Sequence, residues 1–165
     1  MQNLHIEPYS PGQEFAIHDL IRKVYDEFVA PDYPEEGNRF FYDWIAAQNI
    51  AARQRERINL WAAFAGQELA GMIEIRENTY VSLLFVAQEY HGRGIATRLF
   101  KTALPEMRKR DPHLEKVLVH ASPFSIPVYR KMGFVAAGVM QTENGISYLP
   151  MEYQVTSDPS KAGSK

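Results

Sequence analysis

The run His91-Gly92-Arg93-Gly94-Ile95-Ala96-Thr97 has residue types and spacing suited to one kind of chemistry, the binding of an anion. Gly92 and Gly94 give a tight turn its backbone freedom. Ile95, Leu99, Ala103 and Met107 then recur at helical spacing, so the turn opens a helix near Gly94. The first amides of a helix lack intrahelical acceptors and sit at the positive end of its dipole, so the turn offers several N–H donors to a phosphate. Arg93 adds a full positive charge. A Walker loop is excluded, because Ile95 and Ala96 follow Gly94 where Lys and Ser or Thr are required. A dinucleotide-binding GxGxxG is a poor match, because Thr97 stands where its third glycine belongs. An ordinary strand-to-helix turn is the alternative reading of these residues taken alone.

The elements that would position this turn are legible around it. Leu83 to Val86 form an apolar run suited to a buried strand leading into the turn. Asn3 to Pro8 alternates as an edge strand, and Ile17, Leu20, Ile21, Val24 and Phe28 mark a first helix. The segment Ala30 to Gly37 breaks that helix with two prolines, and Phe41, Trp44, Ile45 and Ala52 mark a second helix. Arg53, Arg55 and Arg57 give it a charged end that complements the dipole. Asn59 to Ala65 and Glu68 to Arg76 form a hairpin about Gly66-Gln67, and a turn at Glu77-Asn78 leads to the central strand from Thr79. Lys116 to Ala121 is a further strand, and Val135 to Gln141 and Ile146 to Val155 complete a sheet around a Glu143-Asn144-Gly145 turn. Pro105 lies within the helix after Gly94, where a kink or an early end is expected.

Composition narrows the function classes. A chain of 165 residues with 45% hydrophobic content supports one domain, expected over residues 1–155, with a mobile Ser-, Lys- and Gly-rich tail over 156–165. A net charge of −2 gives no global field for nucleic acid or an anionic membrane. There is no cysteine, which rules out disulfides, cysteine-based zinc sites and a cysteine nucleophile. With no apolar run long enough to span a bilayer and no export signal at MQNLHIEPYS, a soluble, cytoplasmic protein is expected.

His91-Gly92-Arg93-Gly94-Ile95-Ala96 resembles the Gln/Arg-x-x-Gly-x-Gly/Ala acetyl-CoA-binding motif of the GNAT superfamily of N-acetyltransferases, with His91 in place of Gln or Arg. Downstream, SPFSIPVYRKMGF from Ser122 to Phe134 resembles the family's second motif, a short helix carrying a tyrosine and ending in Gly-Phe, with Ser122 where many members have Asn. The resemblance implies an α+β fold: a single GNAT-type domain with a mixed central sheet of roughly six to seven strands, about four helices, and splayed parallel strands 4 and 5, here Val81 to Val86 and Lys116 to Ala121.

It further implies an acetyltransferase that moves the acetyl group of acetyl-CoA, its co-substrate, to a primary amine by direct attack through a tetrahedral intermediate. His91, Gly92, Arg93, Gly94, Ile95, Ala96 and Thr97 would hold the pyrophosphate. The backbone of Leu84, Phe85 and Val86 would meet the pantetheine arm, and Ser122, Ser125 and Tyr129 would line the opposite wall. Tyr129, read alone a core tyrosine, becomes by the resemblance the general acid to the CoA thiolate. No metal is implied.

A protonated alkyl amine must lose a proton before attack. Glu74 and His120 are the candidate bases. Glu74 alternates with Ile73 and Ile75, which also suits a solvent-facing strand residue; His120 has the intrinsic pKa of a base and equally suits a structural hydrogen bond. Water is the remaining alternative. The linker residues Asp32, Tyr33, Glu35 and Glu36 form an acidic, aromatic cluster able to attract a cationic amine, or a solvated loop. Phe40, Phe41, Tyr42 and Trp44 supply either an acceptor pocket or helix core. The expected partners are acetyl-CoA and an amine acceptor, small molecule or protein amino group, with no nucleic acid and no membrane, in a monomer or homodimer. A non-catalytic acyl-CoA-binding regulatory module is the alternative function.

Overall fold

The computed structural model describes residues 3–143 and 145–156. Its chain order is β1 (Leu4–Pro8), α1 (Glu14–Phe28), α2 (Glu35–Trp44), α3 (Ala47–Arg53), β2 (Leu60–Ala65), β3 (Glu68–Arg76), β4 (Tyr80–Val86), α4 (Ile95–Arg110), β5 (Lys116–Ala121), α5 (Ile126–Met132), β6 (Val135–Ala136), β7 (Gln141–Glu143) and β8 (Ile146–Gln154), with single 3-10 turns at Ala30–Asp32 and Gln88–Tyr90. The strands run β1-β2-β3-β4-β5-β8-β6 across the sheet, and β7 pairs with β8 as a hairpin. Of the neighbours in that order only β4 and β5 are parallel. This is the expected α+β architecture, with the sheet's far edge divided into short pieces.

Helices cover both faces. α4 packs on β2, β3 and β4, burying Ile95, Leu99, Phe100, Ala103 and Met107 against Ile73, Ile75 and Val81. On the other face α1 and α3 pack over β3 and β4, where Ile17, Ile21, Ile45 and Ile50 meet Leu60, Met72 and Leu83. Burial of each such aliphatic side chain stabilises the fold by about 1.5–3 kcal/mol.

The central strand carries a bulge that decides which way its residues point. Glu74 pairs with Leu83 and Ile75 with Val81, so Ser82 is an extra residue in β4. In a regular strand Val81 and Leu83 would share a face. Here Val81 joins the α4 core and Leu83 the α1 core. Beyond Val81 the strand also leaves its parallel neighbour: β4 and β5 are in register only at Tyr80 with Leu118 and Val81 with Val119. The two strands diverge from there.

Four local expectations are corrected. The second helix is two, because Ile45 and Ile50 are both fully buried and would lie about 140° apart around one continuous helix; extended backbone at Ala46 lets both turn inward. Part of the proline-broken linker is itself helical, with α2 starting at Glu35 directly after Pro34. The strand expected from Val135 stops at Ala136. Pro150 of β8 accepts from Ala137 N–H at 2.8 Å but has no N–H to return, so the ladder ends there. Finally, of the kink or early end expected at Pro105 the early end does not occur, since α4 runs on to Arg110; Pro105 and Lys101, whose carbonyl the proline cannot serve, both lie on the exposed side, where water can hydrogen-bond to that carbonyl. Apart from Thr156 the expected tail lies outside the described residues, as does Asn144 in the last turn.

Candidate active site

The divergence of β4 from β5 opens a cavity of about 710 Å³. One wall is the edge of β4 from Ser82 to Val86, whose backbone on the β5 side has lost its ladder partners. Buried backbone groups are almost always paired, so this edge is open to a hydrogen-bonding partner from outside the sheet. The turn Gly92, Gly94, Ile95, Ala96 and Thr97 closes one end. Gly94 sits at φ +77°, a left-handed conformation that costs other residues strain, and the space around its absent Cβ is open. The first intrahelical bond of the turn runs from Arg98 N–H to Gly94 O, leaving the amides before it for an anion.

Most of the sequence-predicted residues converge here. Leu84, Phe85, Val86, His91, Ser122, Ser125, Tyr129 and His120 all line the cavity. Arg93 does not; its guanidinium lies 5.6 Å from the Tyr90 ring, outside the wall. The His91 side chain is turned back on the protein: its Nε2 donates to Val86 O at 2.7 Å and its ring packs, tilted, beside the stacked pair of Phe28 and Phe124, at 5.5 and 6.4 Å. The loop residue thereby clamps the end of β4. Ser122 and Ser125 also pair with each other, Oγ to Oγ at 2.9 Å, and Ser125 N–H donates to Ser122 Oγ at 3.3 Å, which fixes the turn into α5.

Tyr129 projects from α5 and is 5% exposed. Its ring packs edge-on to Phe134 at 5.3 Å. Burial, with a smaller contribution from Tyr80, pushes its phenol well above the usual tyrosine range, so it stays protonated at neutral pH. His120 has the opposite tendency. Burial holds its pKa below the ordinary histidine value; Glu143 pulls it up and Arg76 pushes it down, and the sum leaves a neutral imidazole. The His120 ring stacks on Tyr148 at 4.0 Å and meets Tyr80 edge-on at 5.1 Å.

Glu74 is not brought to the cavity. It does alternate with Ile73 and Ile75, but the face it points to is covered by helices, so it is 3% exposed and neither solvent-facing nor free. Gln54 Nε2 donates to it at 2.6 Å and Arg53 Nε at 3.1 and 3.2 Å. Burial outweighs these partners and raises its pKa.

Beyond the strand gap the cavity continues into an aromatic lobe that the sequence indicated only in part. Tyr33, Phe40, Phe41 and Trp44 line it, whereas Asp32, Glu35, Glu36 and Tyr42 do not. Tyr25, Arg76, Tyr80, Glu143 and Tyr148 complete it and were missed, because nothing in their spacing ties β3, β4 and the β7–β8 hairpin together. The lobe is closed by direct contact between α2 and that hairpin. Tyr33 Oη donates to Ser147 O at 2.7 Å, and a Cβ on Gly37 would lie 3.0 Å from Gly145 O. A Cβ on Gly145 would lie 2.9 Å from the Pro34 ring.

Among the described residues no group of three or more His, Asp or Glu converges to hold a metal ion, and no helix is long and apolar enough to cross a membrane.

Solved structures with the same fold are numerous. A GCN5-related N-acetyltransferase from Rhodopseudomonas palustris superimposes with a TM-score of 0.78 at 20% identity, over 94% of this chain and 98% of that one. The PaiA N-acetyltransferase of Thermoplasma acidophilum, solved in complex with coenzyme A, gives 0.74 at 19% identity over 93% and 100%. An aminoglycoside 6'-N-acetyltransferase complexed with coenzyme A gives 0.68 at 18% identity over 94% and 99%. No curated protein sequence matches the chain. The sequence model of the acetyltransferase (GNAT) domain matches residues 29–155, from the aromatic lobe through the glycine turn to the last strand, and the chain therefore belongs to the GNAT acetyltransferase family.

Proposed function

We propose that the protein transfers the acetyl group of acetyl-CoA to a primary amine by direct attack of the amine on the thioester. The observation that carries this reading is the unpaired edge of β4 sharing one cavity with the glycine turn and the Tyr129 phenol. The turn amides suit a pyrophosphate, the β4 edge suits an amide-bearing arm, and the strand gap delivers that arm to Tyr129. Two similar structures were solved with coenzyme A, which supports the same carrier here.

In the reaction the amine nitrogen forms a bond to the acetyl carbon while the carbon–sulfur bond breaks. An amine that arrives as ammonium loses one proton before attack and a second as the amide forms; sulfur gains one, and the other leaves to solvent. His120, neutral and on the cavity wall, takes the first directly or through water. Tyr129 donates to the departing sulfur, and its burial keeps its proton in place until negative charge develops there. A free N–H of the β4 edge near Leu84 to Val86 meets the charge that grows on the carbonyl oxygen.

The test is thermal stabilisation of the purified protein by acetyl-CoA and CoA, with ATP and NAD as controls, followed by thiol release with a panel of amines. A hundredfold excess over Kd stabilises by about 2.7 kcal/mol, a visible shift. Absence of any shift with acetyl-CoA would overturn the reading.

A further inference from the structure

The aromatic lobe carries two charged side chains on its strands, and neither is in an ion pair among the described residues. Arg76, at the end of β3, holds its guanidinium 4.6 Å from the Tyr80 ring and 5.5 Å from the Trp44 ring. Glu143, at the end of β7, accepts a hydrogen bond from Tyr148 Oη at 3.1 Å. Between them stands the Tyr80, His120 and Tyr148 array. A guanidinium held against aromatic faces keeps its fork of N–H donors oriented, and the group that matches the fork is a carboxylate. A plain cationic amine gains from Glu143 but is repelled by Arg76. An acceptor bearing both charges satisfies both, and a planar or bulky apolar body fills the space between Trp44 and Tyr148.

We infer that the acceptor is an amino carboxylic acid with an aromatic side group, its carboxylate bound by Arg76, its ammonium drawn in by Glu143 and its ring packed in the aromatic lobe. The inference rests on the acetyltransferase reading above and adds the acceptor's chemical class to it. Arg76 is in this account a specificity residue, and it takes no proton.

The experiment compares kcat/KM for L-phenylalanine and L-tryptophan with their decarboxylated counterparts, 2-phenylethylamine and tryptamine, and with spermidine, using CoA thiol release. The expected result is a preference of tenfold or more for each acid over its amine, with spermidine lowest. Arg76→Gln is expected to raise KM for the acids about tenfold or more, to lower KM for the two aromatic amines by relieving their repulsion, and to leave stabilisation by acetyl-CoA intact. Arg76→Lys, which keeps the charge and loses the fork, should recover part of the loss. The amines equalling the acids, or Arg76→Gln weakening acids and amines alike, would overturn the inference. So would failure of both acids in a protein that acetyl-CoA stabilises, which leaves the carrier reading standing. Failure of acetyl-CoA to stabilise the protein would remove both readings.

Discussion

Arg53 places its Nε 3.1 Å from Glu74 Oε1 and lays the same guanidinium over the Trp44 ring at 4.1 Å. Its Nη1 also donates to Trp44 O at 2.8 Å. One cation thus ties the buried carboxylate of β3 to the end of α2 and holds an aromatic wall of the cavity in place. Glu74→Ala would strand that cation and is expected to cost about 3 kcal/mol in urea unfolding. Because Glu74 lies off the cavity, Glu74→Gln should lose far less turnover than the roughly hundredfold typical of losing a general base. The native pKa is raised, so this carboxyl's contribution is fully present below its unfolded value and is lost as pH rises through the native one. Wild-type stability relative to Glu74→Gln should fall across that interval.

Tyr129→Phe removes the proposed acid and keeps the ring against Phe134. The expected loss is about 10²- to 10⁴-fold in kcat, with stabilisation by CoA retained. Since burial raises the phenol, the wild-type rate should show no alkaline decline due to tyrosine ionisation near pH 10, the ordinary value; a decline there that Tyr129→Phe abolishes would count against the assignment.

Gly94→Ala tests the turn. No atom lies within 4 Å of the added Cβ, so the cost is conformational, about 1–2 kcal/mol for a left-handed residue. Relaxation of that strain would rotate the turn's amides, and weaker acetyl-CoA binding in a still folded protein is the expected readout.

The His120 imidazole reports the charges of the lobe. Its proton resonances should titrate below the ordinary histidine value. Arg76→Gln should move that titration upward and Glu143→Gln downward; shifts of the opposite sign would place those charges elsewhere.

Much of this molecule is legible in its sequence where local pattern and tertiary role agree. The glycine turn, the spacing of Ile95 to Met107 and the Tyr129 segment each announce a structural element within a few residues. Legibility fails where distant segments decide. Glu74 reads as solvent-facing because alternation cannot say whether a second helical layer covers the other face, and it is Arg53, twenty-one positions earlier, that satisfies it. The bulge at Ser82 is invisible in an apolar run, yet it sends Leu83 to a different core from Val81. Arg76, Glu143 and Tyr148 come to line one cavity only through the tertiary arrangement of the sheet, in which β4 and β5 separate β3 from the late hairpin.

The contact of Gly37 with Gly145 joins segments more than a hundred residues apart at a point where a Cβ on either is crowded, at 3.0 Å from Gly145 O and 2.9 Å from the Pro34 ring. The acceptor wall therefore varies as a pair. A graft of α2 alone from a relative would land on a hairpin shaped for a different helix, and a chimera that changes acceptor choice has to exchange both segments together. The proposed carrier site, on β4, α4 and α5, lies outside both segments, and stabilisation by acetyl-CoA is expected to survive such an exchange.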